Sequence, residues 1–225
     1  MDLDISVIWK EIEDLRRAGY SSWLVGGAVR DLLKGERPRD ADLLVDAGED
    51  IISGLFPGAK RMGKGKQVSW LLPMGEANLE LTCLCGRTLE EDLERRDFTI
   101  NAMAMASDGT VTDPFDGRRD LEQGILRFTG DPAIRLSEDP VRSLRFCRFA
   151  SLYNMFPDPA SCAAIRELSP FLPGAHRQRV GREILISAQK GCLSRFLSLA
   201  DDLHLTRVYH FFPASQEPGF NLVLQ

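Results

Sequence analysis

Long apolar runs are missing from this sequence: none approaches the ~18–20 residues that a bilayer-crossing helix needs. Its opening, Met1-Asp2-Leu3-Asp4, is acidic and fits neither a secretory signal nor a transit peptide, so a cytoplasmic protein is expected. Histidine is scarce, with only His176, His204 and His210, and the five cysteines follow no framework spacing. Cys83 and Cys85 sit two apart in a strand-like run, while Cys147, Cys162 and Cys192 are scattered. That pattern argues against a zinc site and for reduced, buried thiols. Excess positive charge is absent too. With 28 Lys and Arg against 33 Asp and Glu, the net charge of -5 gives no general hold on a polyanion. Any contact with nucleic acid must be local. Residues 171–200 offer one such place, with Arg177, Arg179, Arg182, Lys190 and Arg195 against Glu183 alone.

What is present is ordinary globular composition, 44% hydrophobic and 27% charged, with no internal repeat and no long linker. Ile5, Ile8, Ile12 and Leu15 recur at helical spacing, and Gly19 is placed to end that helix. A short strand at 22–25 breaks at Gly26-Gly27, and a helix follows over 28–33. Strands are expected at 40–45, 68–72 and 78–84, and Thr88-Leu-Glu-Glu91 is a capping box that opens a helix. Residues 125–128 read as the last strand. From Pro132 onward the pattern is helical, with breaks at Pro157/Pro159, Pro170/Pro173 and Pro213. A strand-rich front and a helical back predict an α+β chain with a mixed sheet. The expected domains are 1–130 and 131–225.

Several clusters could carry chemistry. In Asp40-Ala41-Asp42, a strand conformation projects both carboxylates from one face, and paired oxygens suit Mg²⁺. The same pattern describes a polar strand edge. Gly26-Gly27-Ala-Val-Arg30-Asp31 lies between a strand and a helix. The glycines let a phosphate approach the backbone, and Arg30 can add a guanidinium fork. Equally, this is a tight turn with a salt-bridged Arg–Asp pair. Glu80 alternates with leucines in Asn78–Leu84 and is either a third site carboxylate or a solvated strand residue. Arg95-Arg96-Asp97 could bind a triphosphate or ribose, with the Asp orienting an arginine. Asp113-Pro-Phe-Asp-Gly117 reads first as a turn.

The stretch Glu138-Asp139-Pro-Val-Arg142-Ser-Leu-Arg145-Phe-Cys-Arg148 places Asp139 and three arginines at steps of three, a slowly winding stripe if helical. An Asp beside an Arg can read a base. The carboxylate accepts from an exocyclic amino group and the guanidinium donates to a ring nitrogen, which suits cytosine and adenine but not uracil or guanine. Arg145 and Arg148 then remain free for phosphates or stacking. Alternatively Asp139 is an N-cap with Pro140 at N1, and the arginines form a solvated face.

Taken in order, these segments resemble the tRNA nucleotidyltransferase and poly(A) polymerase family of the bacterial and eukaryotic type. The resemblance rests on Leu24–Asp31, Arg39–Asp42, Arg95–Met103, Asp113–Gly117 and Glu138–Arg148, with a weaker match at Gln178–Leu185. It implies a DNA polymerase beta-like nucleotidyltransferase head followed by an all-helical neck. It also implies that Asp40 and Asp42 hold two Mg²⁺ ions, with Glu80 in support. Gly26, Gly27 and Arg30 would meet the triphosphate, and Arg96 with Asp97 the ribose and phosphates. Asp139 and Arg142 would read CTP or ATP, with Arg145 and Arg148 helping to hold it, and Arg177, Arg179 and Arg182 would touch RNA. One ion would activate an RNA 3′-hydroxyl and the other stabilise the leaving pyrophosphate. The implied reaction adds C and A to tRNA 3′ ends. A poly(A) polymerase carries the same motifs, and a head–neck module that binds without turnover is the reading of another class. Family members usually continue into helical regions that grip tRNA. The chain stops soon after the neck, and Ser215–Gln225 match nothing in the family, so a protein partner or a further C-terminal region is expected. The Cys83–Cys85 segment departs from the family's usual Thr-x-Arg.

Overall fold

The computed structural model describes residues 5–64, 67–75, 77–84, 87–171 and 177–209. Cys85, His176, His210, Pro173, Pro213 and the last eleven positions therefore lie outside the described residues. Two compact units emerge, residues 1–123 and 124–225.

The first unit runs α1 (Ile5–Arg17), β1 (Ser22–Val25), α2 (Gly27–Leu33), β2 (Ala41–Val45), α3 (Glu49–Leu55), β3 (Lys60–Lys64), β4 (Gln67–Met74) and β5 (Ala77–Cys83). It continues through α4 (Leu89–Glu94), β6 (Ala104–Met105), β7 (Val111–Thr112) and α5 (Gly117–Gln123). Its seven strands form one mixed sheet in the order β3-β4-β5-β2-β1-β6-β7. β2 and β5 run parallel, and the other neighbours are antiparallel.

Alternation along these strands separates two apolar clusters. Leu24, Leu43, Trp70 and Leu81 join Ile8, Ile12 and Leu15 of α1, Val29 of α2 and Ile52 of α3. The helical repeat of isoleucines in α1 thus meets one face of the sheet, and burying each such side chain stabilises by about 1.5–3 kcal/mol. Val25, Leu44 and Ala104 lie on the opposite face and pack with Leu93 of α4 and Ala102. Thr88 caps α4 as its sequence predicts: its Oγ1 accepts from Glu91 N at 3.2 Å while Glu91 Oε2 accepts from Thr88 N at 2.8 Å.

The second unit contains β8 (Ile125–Leu126), α6 (Pro132–Glu138), α7 (Arg142–Leu152), β9 (Phe156–Pro157), α8 (Pro159–Leu168), α9 (Arg177–Gln189), α10 (Leu193–Asp202) and α11 (Leu205–Val208). Among its described residues it is helical apart from one parallel pairing of β8 with β9, and β9 at Phe156–Pro157 corrects the all-helical expectation beyond residue 130. Its interior includes Phe128 stacked on Phe146 at 5.3 Å, with Leu144, Ile165 and Phe196 fully buried. Cys147 and Cys162 are free thiols here, and burial pushes both above the ordinary thiol value. No helix among the described residues is long and apolar enough to cross a membrane.

Candidate active site

Register brings the first two site residues together. Asp42 on β2 stands opposite Val25 on β1 and opposite Glu80 on β5. Cross-strand partners share a face, so Asp42 and Glu80 lie on neighbouring strands about 4.8 Å apart, on the face turned away from α1. Asp42 is half-buried and Glu80 exposed, while Leu79 and Leu81 on either side are fully buried. The alternation read from Asn78–Leu84 holds. For Asp40 the structure differs: β2 begins at Ala41, and Asp40 sits exposed in the bend before it. The β2–β5 ladder starts at the Ala41–Leu79 pairing. The Asp40–Asp42 spacing is therefore set by the bend, not by the strand pleat.

Gly26 ends β1 with φ 72° and ψ −136°, a conformation a side chain resists. Space is tight there as well. A Cβ there would lie 3.2 Å from Asp42 Oδ2 and 3.1 Å from Arg96 Nη1. The bare backbone of Gly26 is thus the point where a carboxylate and a guanidinium approach each other. Arg96 is aimed by Asp92, which the sequence alone does not single out. Arg96 Nη2 donates to Asp92 Oδ2 at 3.1 Å, and Arg87 Nη2 donates to Asp92 Oδ1 at 3.0 Å. Arg96 Nε is buried with no hydrogen-bond partner.

Behind this point lies a polar chain. Arg30 is buried, with Nε and Nη2 donating to Asp31 Oδ1 at 3.0 and 2.7 Å and Nη1 donating to Asn101 Oδ1 at 2.8 Å. Asn101 Nδ2 in turn donates to Asp97 Oδ1, which also accepts from Phe98 N. These bonds match the salt-bridged alternative for Arg30 and tie α2 to the Asp97–Asn101 turn. Asp113 accepts from the backbone N–H of Gly117 and Arg118, so the Asp113–Gly117 segment is the turn its residues predict.

In the second unit, α7 begins at Arg142 and Asp139 is the C-cap of α6. The stripe reading is corrected: Asp139 stands outside the helix that carries the three arginines, and the N-cap of α7 is Val141. Pro140 accounts for this, because a residue before proline is driven to extended backbone, here φ −152°. Asp139 Oδ1 accepts from Val141 N at 3.2 Å, and Oδ2 accepts from Arg179 Nη2 at 2.5 Å. That bond raises the pKa of Arg179. Arg142 Nη1 donates to Glu138 Oε2 at 2.6 Å and to the carbonyl of Arg135.

Arg145 is exposed and lies over the Phe149 ring at 5.3 Å. Arg148 is not free. It is buried, with Nε donating to Glu183 Oε2 of α9 at 2.5 Å and its guanidinium 4.7 Å from the Phe149 centroid. Arg177, Arg179 and Arg182 are all exposed on α9. Among the described residues, no three or more His, Cys, Asp and Glu side chains form a group able to hold a metal.

Residues 22–84 and 66–127 match the family model of the poly(A) polymerase head domain. A CC-adding tRNA nucleotidyltransferase of Halalkalibacterium halodurans is 35% identical over 208 residues, 90% of this chain and 52% of that protein. Poly(A) polymerase I of Salmonella typhimurium is 33% identical over 209 residues, 81% of this chain and 45% of that protein. The crystal structure of the Bacillus stearothermophilus CCA-adding enzyme in complex with CTP superposes with a TM-score of 0.81 at 32% identity, covering 92% of this chain and 54% of that one. The chain spans about half the length of these relatives.

Proposed function

The chain belongs, through residues 22–127, to the poly(A) polymerase head-domain family, and on that premise we propose that it transfers nucleotides from CTP and ATP to RNA 3′ ends, with tRNA as the acceptor. The observation that carries the reading is the Asp42–Glu80 pair beside the side-chain-free turn at Gly26. The donor set fits Mg²⁺: carboxylate oxygens alone, few enough to leave positions for phosphate oxygens. Asp40 and Asp42 would hold the ions, with Glu80 as a supporting carboxylate, and the ions when bound would supply positive charge at the attacking oxygen and at the departing pyrophosphate.

The protein's own groups do the positioning. Gly26 and Gly27 let the triphosphate approach the backbone, and Arg96, aimed by Asp92, donates to its oxygens. Arg30 and Asp97 act from behind, holding α2 and the turn at Asn101 in place. Asp139 accepts from the base amino group and Arg142 donates to the ring nitrogen, so cytosine and adenine are selected. Arg145 stacks or meets phosphate, and Arg148 orients Phe149 beneath it. Arg177, Arg179 and Arg182 meet the RNA backbone. A second reading, poly(A) addition, is favoured by the 33% identity to poly(A) polymerase I.

Labelled CTP or ATP, Mg²⁺ and a tRNA lacking its 3′ end test this directly. One to three added residues are expected for tRNA repair, whereas a long adenylate ladder marks poly(A) addition. Asp42→Asn should cut incorporation at least about a hundredfold with the melting temperature preserved, because it removes one carboxylate charge and keeps the side chain's shape. Substantial Mg²⁺-dependent activity in that variant would overturn the site.

A further inference from the structure

Tyr209, just past α11, reaches back 69 residues in sequence to the turn that carries Asp139. Its hydroxyl donates to the carbonyl of Pro140 at 2.8 Å and lies 3.2 Å from Ser143 Oγ, which itself donates to that carbonyl at 2.7 Å. The other end of the same peptide unit is the N–H of Val141, and it donates to Asp139 Oδ1. A peptide unit is planar, so fixing its carbonyl fixes the direction of its N–H. A hydrogen bond to the carbonyl also polarises the amide and strengthens the donor at the opposite end.

Pro140 supplies the remaining rigidity. Its ring sets its own φ and drives Asp139 to extended backbone. The freedom left in the turn is rotation of the Pro140–Val141 peptide plane, the motion that the Tyr209 hydroxyl opposes. Burial raises the pKa of Tyr209, so the hydroxyl keeps its proton across the neutral range and stays a donor. Arg179 holds the second oxygen of Asp139 from α9. Both carboxylate oxygens are thus set by groups outside α7.

We infer that Tyr209 is a positioning residue for base selection: through the Pro140–Val141 peptide plane it holds the Asp139 carboxylate in the orientation that accepts a cytosine or adenine amino group. This rests on the proposed reading role of Asp139. It goes beyond that role by placing part of the selectivity in a phenol that touches no nucleotide.

The test is a comparison of Kd for CTP, ATP, UTP and GTP, by calorimetry on the full chain, in the parent, Tyr209→Phe, Asp139→Asn and the double variant. Tyr209→Phe keeps the ring and deletes only the donor. The CTP-over-UTP preference should fall about three- to tenfold, the worth of one ordinary hydrogen bond, with UTP affinity unchanged. In the Asp139→Asn background the same change should have no further effect on the preference. If Asp139→Asn collapses the preference while Tyr209→Phe leaves it intact, the inference fails and the base-reading role stands. If neither variant moves it, the base-reading role itself is wrong. A lowered melting temperature in Tyr209→Phe with unaltered preference would reduce the residue to a structural contact and likewise overturn the inference.

Discussion

At Gly26 the backbone holds φ 72° and ψ −136°, and an added Cβ would press on the ends of two side chains, Asp42 and Arg96. At Gly117 the φ is unexceptional, and the Cβ would fall 2.2 Å from the backbone oxygen of Thr99. These positions predict opposite failures. Flexible side-chain ends can move aside, so Gly26→Ala should cost about 1–3 kcal/mol, mostly backbone strain, while displacing the two groups proposed to serve the metal and the triphosphate. At Gly117→Ala the Met103 side chain could shift but the Thr99 backbone could not, and that clash should cost about 3 kcal/mol or more. Urea melts and CTP titrations separate the two. Gly26→Ala should lose CTP affinity at least tenfold with a modest shift in midpoint, whereas Gly117→Ala should shift the midpoint further and bind CTP normally wherever it remains folded. Equal midpoints with unchanged CTP affinity at Gly26→Ala would remove that turn from the site.

Between elements, the contact with most at stake is Arg148 of α7 against Glu183 of α9, both buried. Removing one member leaves the other charged and unpaired away from water, which costs about 3–5 kcal/mol. Arg148→Met should therefore destabilise more than the double change Arg148→Met with Glu183→Leu, a difference that paired thermal melts would read. This pairing also marks how far sequence reading reaches. Elements written in local signals are legible: the α1 periodicity, the Thr88 capping box, the alternation over Asn78–Leu84 and the Asp113 turn each depend on neighbours within a few residues. β3 is not, because Lys60-Arg-Met-Gly-Lys64 has no alternation and becomes a strand only by pairing with β4. Asp92 is missed for a similar reason. Within the capping-box helix it reads as one acid among several, and only the fold brings Arg87 and Arg96 to its two oxygens. Arg148 fails in the opposite sense: its spacing suggests a ligand, while a partner 35 residues away claims it.

For the molecule as a whole the net charge of -5 opposes any polyanion, so the proposed RNA binding would have to rest on a few local cations. Arg179 already bonds Asp139, and Arg195 bonds Asn154 Oδ1. On the proposed reading, phosphate neutralisation rests on the exposed Arg177, Arg179 and Arg182 of α9, with Arg179 shared with Asp139. Each neutralised phosphate contributes about −0.9 to the slope of log K against log salt on a duplex, so three contacts predict a slope of about −2 to −3. Arg177→Ala with Arg182→Ala should flatten that slope by about 2 while leaving the CTP affinity measured without RNA unchanged. Filter binding of an acceptor-stem duplex across a salt series reads both quantities. A slope steeper than about −5 in the parent would mean that cations beyond α9 grip the RNA. An unaltered slope in the double variant would take the RNA contact away from α9 altogether, whatever becomes of the nucleotide site.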